Sequence, residues 1–404
     1  MAAISPQYYL FFVRDVLPQP AAHLIQVVQC ANAAANLGYP SVLSYLQRGP
    51  LAWNPLRWVA ALPPRPVDPD FAAFYSTQNR LNLLPLPMPW PIDRVKTKLT
   101  NASTVACKYY WPLQLRSRTK LVHTRDWNFV KAAIKSGVPV IYECHHCLPH
   151  PYEAEIVTNP LLQVAVTVVE TVQRNMIANG MPPNKIRVVP NGFNRQFLER
   201  HPEGATAWRD QLLPSPQHKL AVYAGALQNF KGVDLLLEIA PQCPDVVFAL
   251  AGGPVEQQAH YQAQCDRNGL SNVRCLGFLP QNQLAELLQA ADVLLHPHRM
   301  GPAATFTSPL KLFDYLASGT PIVASEIPSL ESFKGTAAIS AWCPPDSPND
   351  LIKALRQVLA TKPRRAEGYP DMIEYVRQYS WENRIKTILD QVDPALRPDP
   401  IHSC

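Results

Sequence analysis

The chain has 404 residues, 47% of them hydrophobic and 17% charged, a globular composition too long for one ordinary core and suited to two domains. A net charge of +6 without a compact basic stripe argues against a nucleic-acid partner and leaves room for no more than peripheral contact with an anionic membrane surface. Nine cysteines without a paired zinc spacing, no apolar run of spanning length and no secretory pattern point to a reducing, cytoplasmic setting.

An apolar run, Tyr8–Val13, predicts the first strand, and Pro18–Ala22 a turn. Helical spacing from His23 to Leu37, stopped by Gly38, leads into a second strand at Ser41–Tyr45, a β-α-β unit. Residues 46–100 are rich in tryptophan, proline and arginine without a period and read as a long excursion from the sheet. Within them Asp68-Pro69-Asp70 reads as a turn rather than a metal-binding Asp-x-Asp, and Trp53, Arg57, Trp58 and Trp90 as part of the excursion. Strand–helix units resume with Leu121–His123, Trp127–Ser136, Val138–Tyr142, Gln163–Val169 and Ile186–Val189, closed by Pro190-Asn191-Gly192.

The second half repeats the scheme. Strand Leu220–Tyr223 precedes helix Gly232–Ala240. Strands Val246–Ala251, Val273–Leu276 and Val293–His296 follow, with helix Asn282–Ala290 among them. Helix Pro309–Leu316 and strand Pro321–Ala324 complete the series. Strands alternating with helices imply parallel sheets with ligands at their carboxyl ends. The expected architecture is α/β, two Rossmann-like domains with parallel sheets facing across a cleft. They are expected at residues 1–195 and 196–375, with a C-terminal helix and tail at 376–404 that packs back on the first domain.

Two stretches carry chemistry. After strand 220–223, a loop opening with Gly225 delivers Lys231 to a helix start, where free N–H groups and an ammonium suit a phosphate. Ser308 and Pro309 fit the cap and first position of the helix Leu310-Lys311-Leu312-Phe313-Asp314-Tyr315. The amides of Leu310 and Lys311 would then face an anion, and Asp314, one turn on, a ribose. His123, ending a strand, reads as a satisfied core residue; His296 and His298 flank Pro297 close to the Lys231 loop, His23 opens the first helix toward the cleft side, and none of the four carries a catalytic assignment.

Thr307 through Ser325 closely resembles the S-P-L-K-L-F-E-Y-M-A-x-G-x-P-I-V-A-S signature of family-4 retaining glycosyltransferases of the GT-B fold. Tyr223 through Asp234, Val188-Val189-Pro190-Asn191-Gly192-Phe193-Asn194, Gly277-Phe278-Leu279-Pro280 and Tyr379-Ser380-Trp381-Glu382 resemble further segments of that family, in its order. The resemblance implies a transferase moving a hexosyl unit from a nucleotide sugar of the UDP-glucose type to a hydroxyl acceptor, as in polysaccharide biosynthesis, with no cofactor and no metal. It assigns the donor diphosphate to Lys231 and to the amides of Leu310 and Lys311. Ribose falls to Asp314, and the base to main chain at Phe278 and Leu279. His145, in Tyr142-Glu143-Cys144-His145, takes the role of the histidine that touches the donor sugar, with His146 as the alternative register. Two positions depart from the pattern. Ala226 stands where the family carries an arginine, for which Arg299 or Arg125 would substitute, and Phe306 stands where it carries a glutamate. A sugar-nucleotide epimerase or a non-catalytic binding subunit are the competing readings.

Overall fold

In the computed structural model, β1 (Tyr8–Val16) grows out of the first apolar run, with Tyr9 through Val13 buried. Residues 7–48, 62–78, 80–88, 101–306 and 310–401 are described, apart from the Phe306 side chain; Trp53, Arg57, Trp58, Trp90 and Ser308 lie outside them. A strand covered on both faces belongs in the middle of a parallel sheet. β1 accordingly pairs in parallel with β2 (Ser41–Gln47), Leu10 opposite Val42. Helix Ala22–Asn36 connects them.

The first sheet continues with β3 (Arg65–Pro66), β4 (Asn82–Pro87), β5 (Thr119–Thr124), β6 (Val140–Glu143), β7 (Leu162–Thr167) and β8 (Ile186–Val188). The order is β3-β4-β2-β1-β5-β6-β7-β8, and only β3 against β4 is antiparallel. Residues 46–100 are therefore not simply an excursion, because β4 extends the sheet beside β2, Val42 opposite Asn82. Its strand character was hidden by Pro85 and Pro87. Proline has no N–H for a ladder, but among the described residues only the two of β3 pair with the outer side of β4, so that loss costs little there.

Asp68-Pro69-Asp70 is likewise not a turn but a helix start. The Asp68 carboxylate accepts from the Phe71 amide at 2.9 Å, Pro69 occupies the first position of helix Pro69–Tyr75, and Asp70 lies in its first turn. Asp68→Ala should cost about 1 kcal/mol of stability, the usual loss for a missing cap, measured by thermal or denaturant melts.

The second sheet is built from β9 (Lys219–Ala224), β10 (Val246–Ala251), β11 (Val273–Gly277), β12 (Val293–His296), β13 (Ile322–Ser325) and β14 (Ala341–Cys343). Its order is β11-β10-β9-β12-β13-β14, parallel throughout. Helices Pro202–Leu212, Val255–Arg267 and Pro348–Thr361, which periodicity left unread, complete the layers.

The chain forms two compact units, Met1–Pro190 with Trp381–Cys404, and Asn191–Ser380. A backbone bridge from Phe193 to Ser380 ties the two ends of the second unit together. Helix Trp381–Leu389 completes the first unit by packing on helix Ala22–Asn36, where the Asn36 amide donates to Glu382 at 3.0 Å.

Candidate functional site

In the second unit the carboxyl ends of β9, β10 and β12 carry the loops with Gly225, Gly252-Gly253 and His296-Pro297-His298. At Gly232 (φ +72°) a Cβ would lie 1.6 Å from the Pro297 carbonyl oxygen, so the Lys231 loop rests directly on the backbone after β12 and only glycine fits. A single turn of 3-10 helix, Asn229–Lys231, and this contact set the direction of the Lys231 side chain. Its ammonium lies 4.8 Å from the centre of the Phe230 ring.

Helix Leu310–Ser318 is anchored to the end of β9 by Tyr315, whose hydroxyl accepts from the Ala224 amide at 2.6 Å and donates to the Ala224 carbonyl at 3.2 Å. That anchor lays the Lys311 ammonium 3.8 Å above the Tyr223 ring. The Tyr223 hydroxyl in turn donates to the Ala226 carbonyl at 2.7 Å, curling the Gly225 loop back over the strand. Among the described residues, Leu310 and Lys311 open helix Leu310–Ser318.

The electrostatics are unusual for a resting protein. Burial lowers the Lys231 ammonium to about 8. Burial, with the charge of Lys231 added, pushes Lys311 well below the normal lysine range. Neither has a carboxylate within ion-pair distance among the described residues. His296 and His298 are fully buried with rings stacked 5.9 Å apart. Both ring nitrogens of His296 and Nε2 of His298 have no hydrogen-bond partner. Burial and the two lysines hold both imidazoles neutral, His298 at about 4. Uncompensated cations beside unpartnered ring nitrogens are destabilising unless a ligand answers them. Lys311→Met should therefore weaken anion binding while raising the melting temperature measured without nucleotide by a few degrees; a lower melting temperature would contradict this account.

Other sequence-derived positions fall around this cluster in different ways. Asp314 is half-buried, its carboxyl raised to about 7 by burial, and Oδ1 accepts from the Asn194 amide at 3.2 Å. Phe278 is 50% exposed, and Leu279 is partly buried in the core of this unit. Arg299 does not replace the missing arginine. It is committed to Asp234 through Nε and Nη2 and to Asp346 through Nη1 at 2.7 Å, a paired guanidinium rather than a free cation. Arg125 belongs to the first unit, beside Gln26. A second cation, close enough to Lys231 to feel its charge, is the Lys311 side chain, of which only the backbone amide was expected to matter. The sequence holds no sign that Tyr223 lies beneath it.

In the first unit, β6 ends at Glu143, a buried carboxylate with four partners. His123 donates from Nε2 at 2.8 Å, His145 from Nε2 at 2.9 Å, Gln26 from its amide at 2.6 Å and Arg384 from Nη2 at 3.0 Å. Burial opposes its ionisation, but Arg384 and the two histidine hydrogen bonds hold the carboxyl well below its usual range. Tyr9 donates to Nδ1 of His123 at 2.9 Å, which leaves that ring fully partnered. His145 differs. Burial and the charge of Arg125 lower it to about 3, so it is a neutral imidazole with its proton at Nε2 toward Glu143. The Nδ1 lone pair is then an acceptor, in a side chain 9% exposed.

Residues 218–361 match the model for glycosyl transferases group 1, and residues 27–197 match that for glycosyltransferase family 4. The chain belongs to the group 1 glycosyltransferases. Within this family it is similar to the D-inositol 3-phosphate glycosyltransferase of Corynebacterium aurimucosum, 27% identical over 241 residues, 57% of this chain and 56% of that protein. The chain spans about half the length of the curated relatives it matches first. Among solved structures it is similar to Anabaena HepE in complex with UDP and glucose, with 15% identity, a TM-score of 0.67 and coverage of 95% of this chain and 98% of that one. It is also similar to sucrose-phosphate synthase from Thermosynechococcus elongatus, with 17% identity, the same TM-score of 0.67 and the same coverage of 95% and 98%. These likenesses establish the GT-B fold for this group 1 glycosyltransferase. No helix among its described residues is long and apolar enough to cross a membrane.

Proposed function

We propose that the chain is a retaining glycosyltransferase that moves a hexosyl unit from a nucleoside-diphosphate sugar to a hydroxyl acceptor. One observation carries this reading: two partly buried ammonium groups, Lys231 and Lys311, held without a carboxylate partner among the described residues at the carboxyl edge of the second sheet. A diphosphate supplies the charge they lack and reaches the first amides of helix Leu310–Ser318. Asp314 accepts from ribose hydroxyls in this reading. The main chain at Phe278 and Leu279 borders the base, and Gly225 allows close approach of the phosphates. UDP stands first among candidate nucleotides, because HepE was solved with UDP and glucose.

Chemistry follows from charge placement. As the bond from the anomeric carbon to the phosphate oxygen breaks, its electron pair goes to the diphosphate. The preorganised lysines and amides stabilise that charge more in the transition state than in the ground state. The acceptor hydroxyl enters on the face the diphosphate leaves, retaining configuration, and passes its proton to a phosphate oxygen. For His145 we propose a positional role on the donor sugar. Its Nδ1 lone pair accepts from a sugar hydroxyl, and Glu143 keeps the tautomer that makes this possible.

Relatives named for inositol phosphate and sucrose phosphate chemistry make a phosphorylated polyol or sugar the first acceptor class to try, followed by glycans and lipid-linked sugars. Ala226, in the family's arginine position, favours a second reading in which the chain binds nucleotide sugars without transferring them. Screening nucleotide sugars with and without acceptors separates the two. Nucleoside diphosphate released only when acceptor is present supports transfer; tight binding without acceptor-dependent release supports the second reading.

A further inference from the structure

His298 carries information that the donor reading does not use. Its Nδ1 lies 2.8 Å from the Arg299 carbonyl oxygen, which can only accept, so Nδ1 holds the proton of the neutral ring. Nε2 is then a bare lone pair, buried and without a partner. A phosphate oxygen is also an acceptor. The two cannot meet unless Nε2 gains a proton.

We propose that His298 takes up a proton as the donor diphosphate binds, and that the imidazolium so formed donates from Nε2 to a phosphate oxygen. This rests on the donor reading above. The groups around the ring explain the switch. His296 on β12 stacks against the ring, and Lys231 on its 3-10 turn and Lys311 on helix Leu310–Ser318 both oppose a further positive charge on it. Asp346 favours that charge but is itself paired with Arg299, which also holds Asp234. Phe230, 5.5 Å away, is uncharged. Tyr223 and Tyr315 are neutral, their proton affinities raised by burial, and Asp314 has an elevated carboxyl. The anion reverses this balance, because its charge outweighs the repulsion that kept the ring neutral. With the carbonyl fixing Nδ1, the gained proton has one place to go.

The consequence is that the site gathers its third cation only when the ligand arrives. It avoids assembling three like charges beforehand and still offers an imidazolium when the leaving group gains charge.

The test is calorimetric titration of the full chain with UDP-glucose, GDP-mannose and ADP-glucose in turn, whose diphosphate diesters exchange no proton near neutrality. Each is run in buffers of different ionisation enthalpy, so that the buffer dependence of the heat counts protons. The wild type should take up about one proton per ligand near neutral pH, and its affinity should rise as pH falls, by at most about tenfold per unit. In His298→Asn the side-chain amide keeps the donation to Arg299 and removes the ε nitrogen. Uptake should be lost there and affinity should fall by about tenfold. Histidine-selective NMR of the wild type, following the His298 ring from imidazole to imidazolium on ligand addition, reads the same event if the variant does not fold. Binding without uptake in the wild type, or with uptake unchanged in His298→Asn, overturns the proposal and leaves the donor reading standing. In the first of these cases a ligand hydroxyl donating to Nε2 is the better account. Failure of all three nucleotide sugars to bind overturns both.

Discussion

Lys231→Ala should lower kcat/KM by two to three orders of magnitude, roughly what removing one preorganised donor from a developing oxyanion costs elsewhere. The ammonium is nearly buried, has no carboxylate of its own among the described residues, and rests against the Phe230 ring, so its full charge is available to a ligand. Because the leaving diphosphate gains negative charge, kcat should suffer more than KM. The fold should survive, since removing an unanswered cation leaves no buried group unpaired. The same lysine sets an alkaline limit. With its ammonium at about 8, the charge is present below that pH and lost as pH rises through it. Donor affinity in the wild type should weaken across that range, and Lys231→Ala should lose the lysine's share of that slope, leaving only the share due to His298. Steady-state rates and nucleotide titrations across the range check both statements. A variant retaining wild-type kcat/KM would remove the central support for a diphosphate site.

Glu143→Gln is expected to give a large loss of stability in the first unit. The carboxylate stands between Arg384 and two imidazoles, all buried. Neutralising it strands a guanidinium whose remaining partners are the Val189 and Pro190 carbonyl oxygens. Breaking a buried pair from one side costs about 3–5 kcal/mol. In a unit of this size that shifts a thermal midpoint by on the order of 10 °C. The pH dependence has a definite sign. The folded Glu143 carboxyl titrates well below its usual value, so its contribution is present above the ordinary glutamate range and is lost as pH falls beneath it toward the depressed folded value. Melts of the wild type should deteriorate over that acid interval, and Glu143→Gln should be less sensitive to it. The variant should also lose activity, because an amide can donate as well as accept and no longer commits His145 to the Nε2 proton. A melting temperature within a degree or two of wild type would refute the hub as described.

The alternation of strands and helices in the second half was legible because β9, β10 and β12 are short apolar runs ended by glycine or a polar loop. The observed ends fall within a few residues of those read from pattern. The helix after Ser308 was legible for the same reason, its buried Leu312, Phe313, Tyr315 and Leu316 recurring at helical spacing. β4 was not, since Pro85 and Pro87 disguise a strand as a loop. Nor was the role of His296 and His298, which ordinary statistics favour as satisfied core residues. Only coordinates reveal that three of their four ring nitrogens lack a partner. Lys311 shows a third limit. Sequence places its amide at a helix start, but the side chain acts through Tyr223, 88 positions earlier in the chain, and no local pattern encodes that meeting. Glu143 was noticed only as a neighbour of His145, because its partners come from the first helix, β5 and the last helix.

The contribution of Trp381–Leu389 to the first unit bears on how the protein is born. During translation the second unit, continuous from Asn191 to Ser380, emerges whole and can mature at once. The first unit, although synthesised earlier, lacks the guanidinium that neutralises its buried carboxylate until residue 384 clears the ribosome tunnel. Its earlier-made half must wait through synthesis of the second unit with that charge unmatched, so completion of the first unit depends on the arrival of Trp381–Leu389.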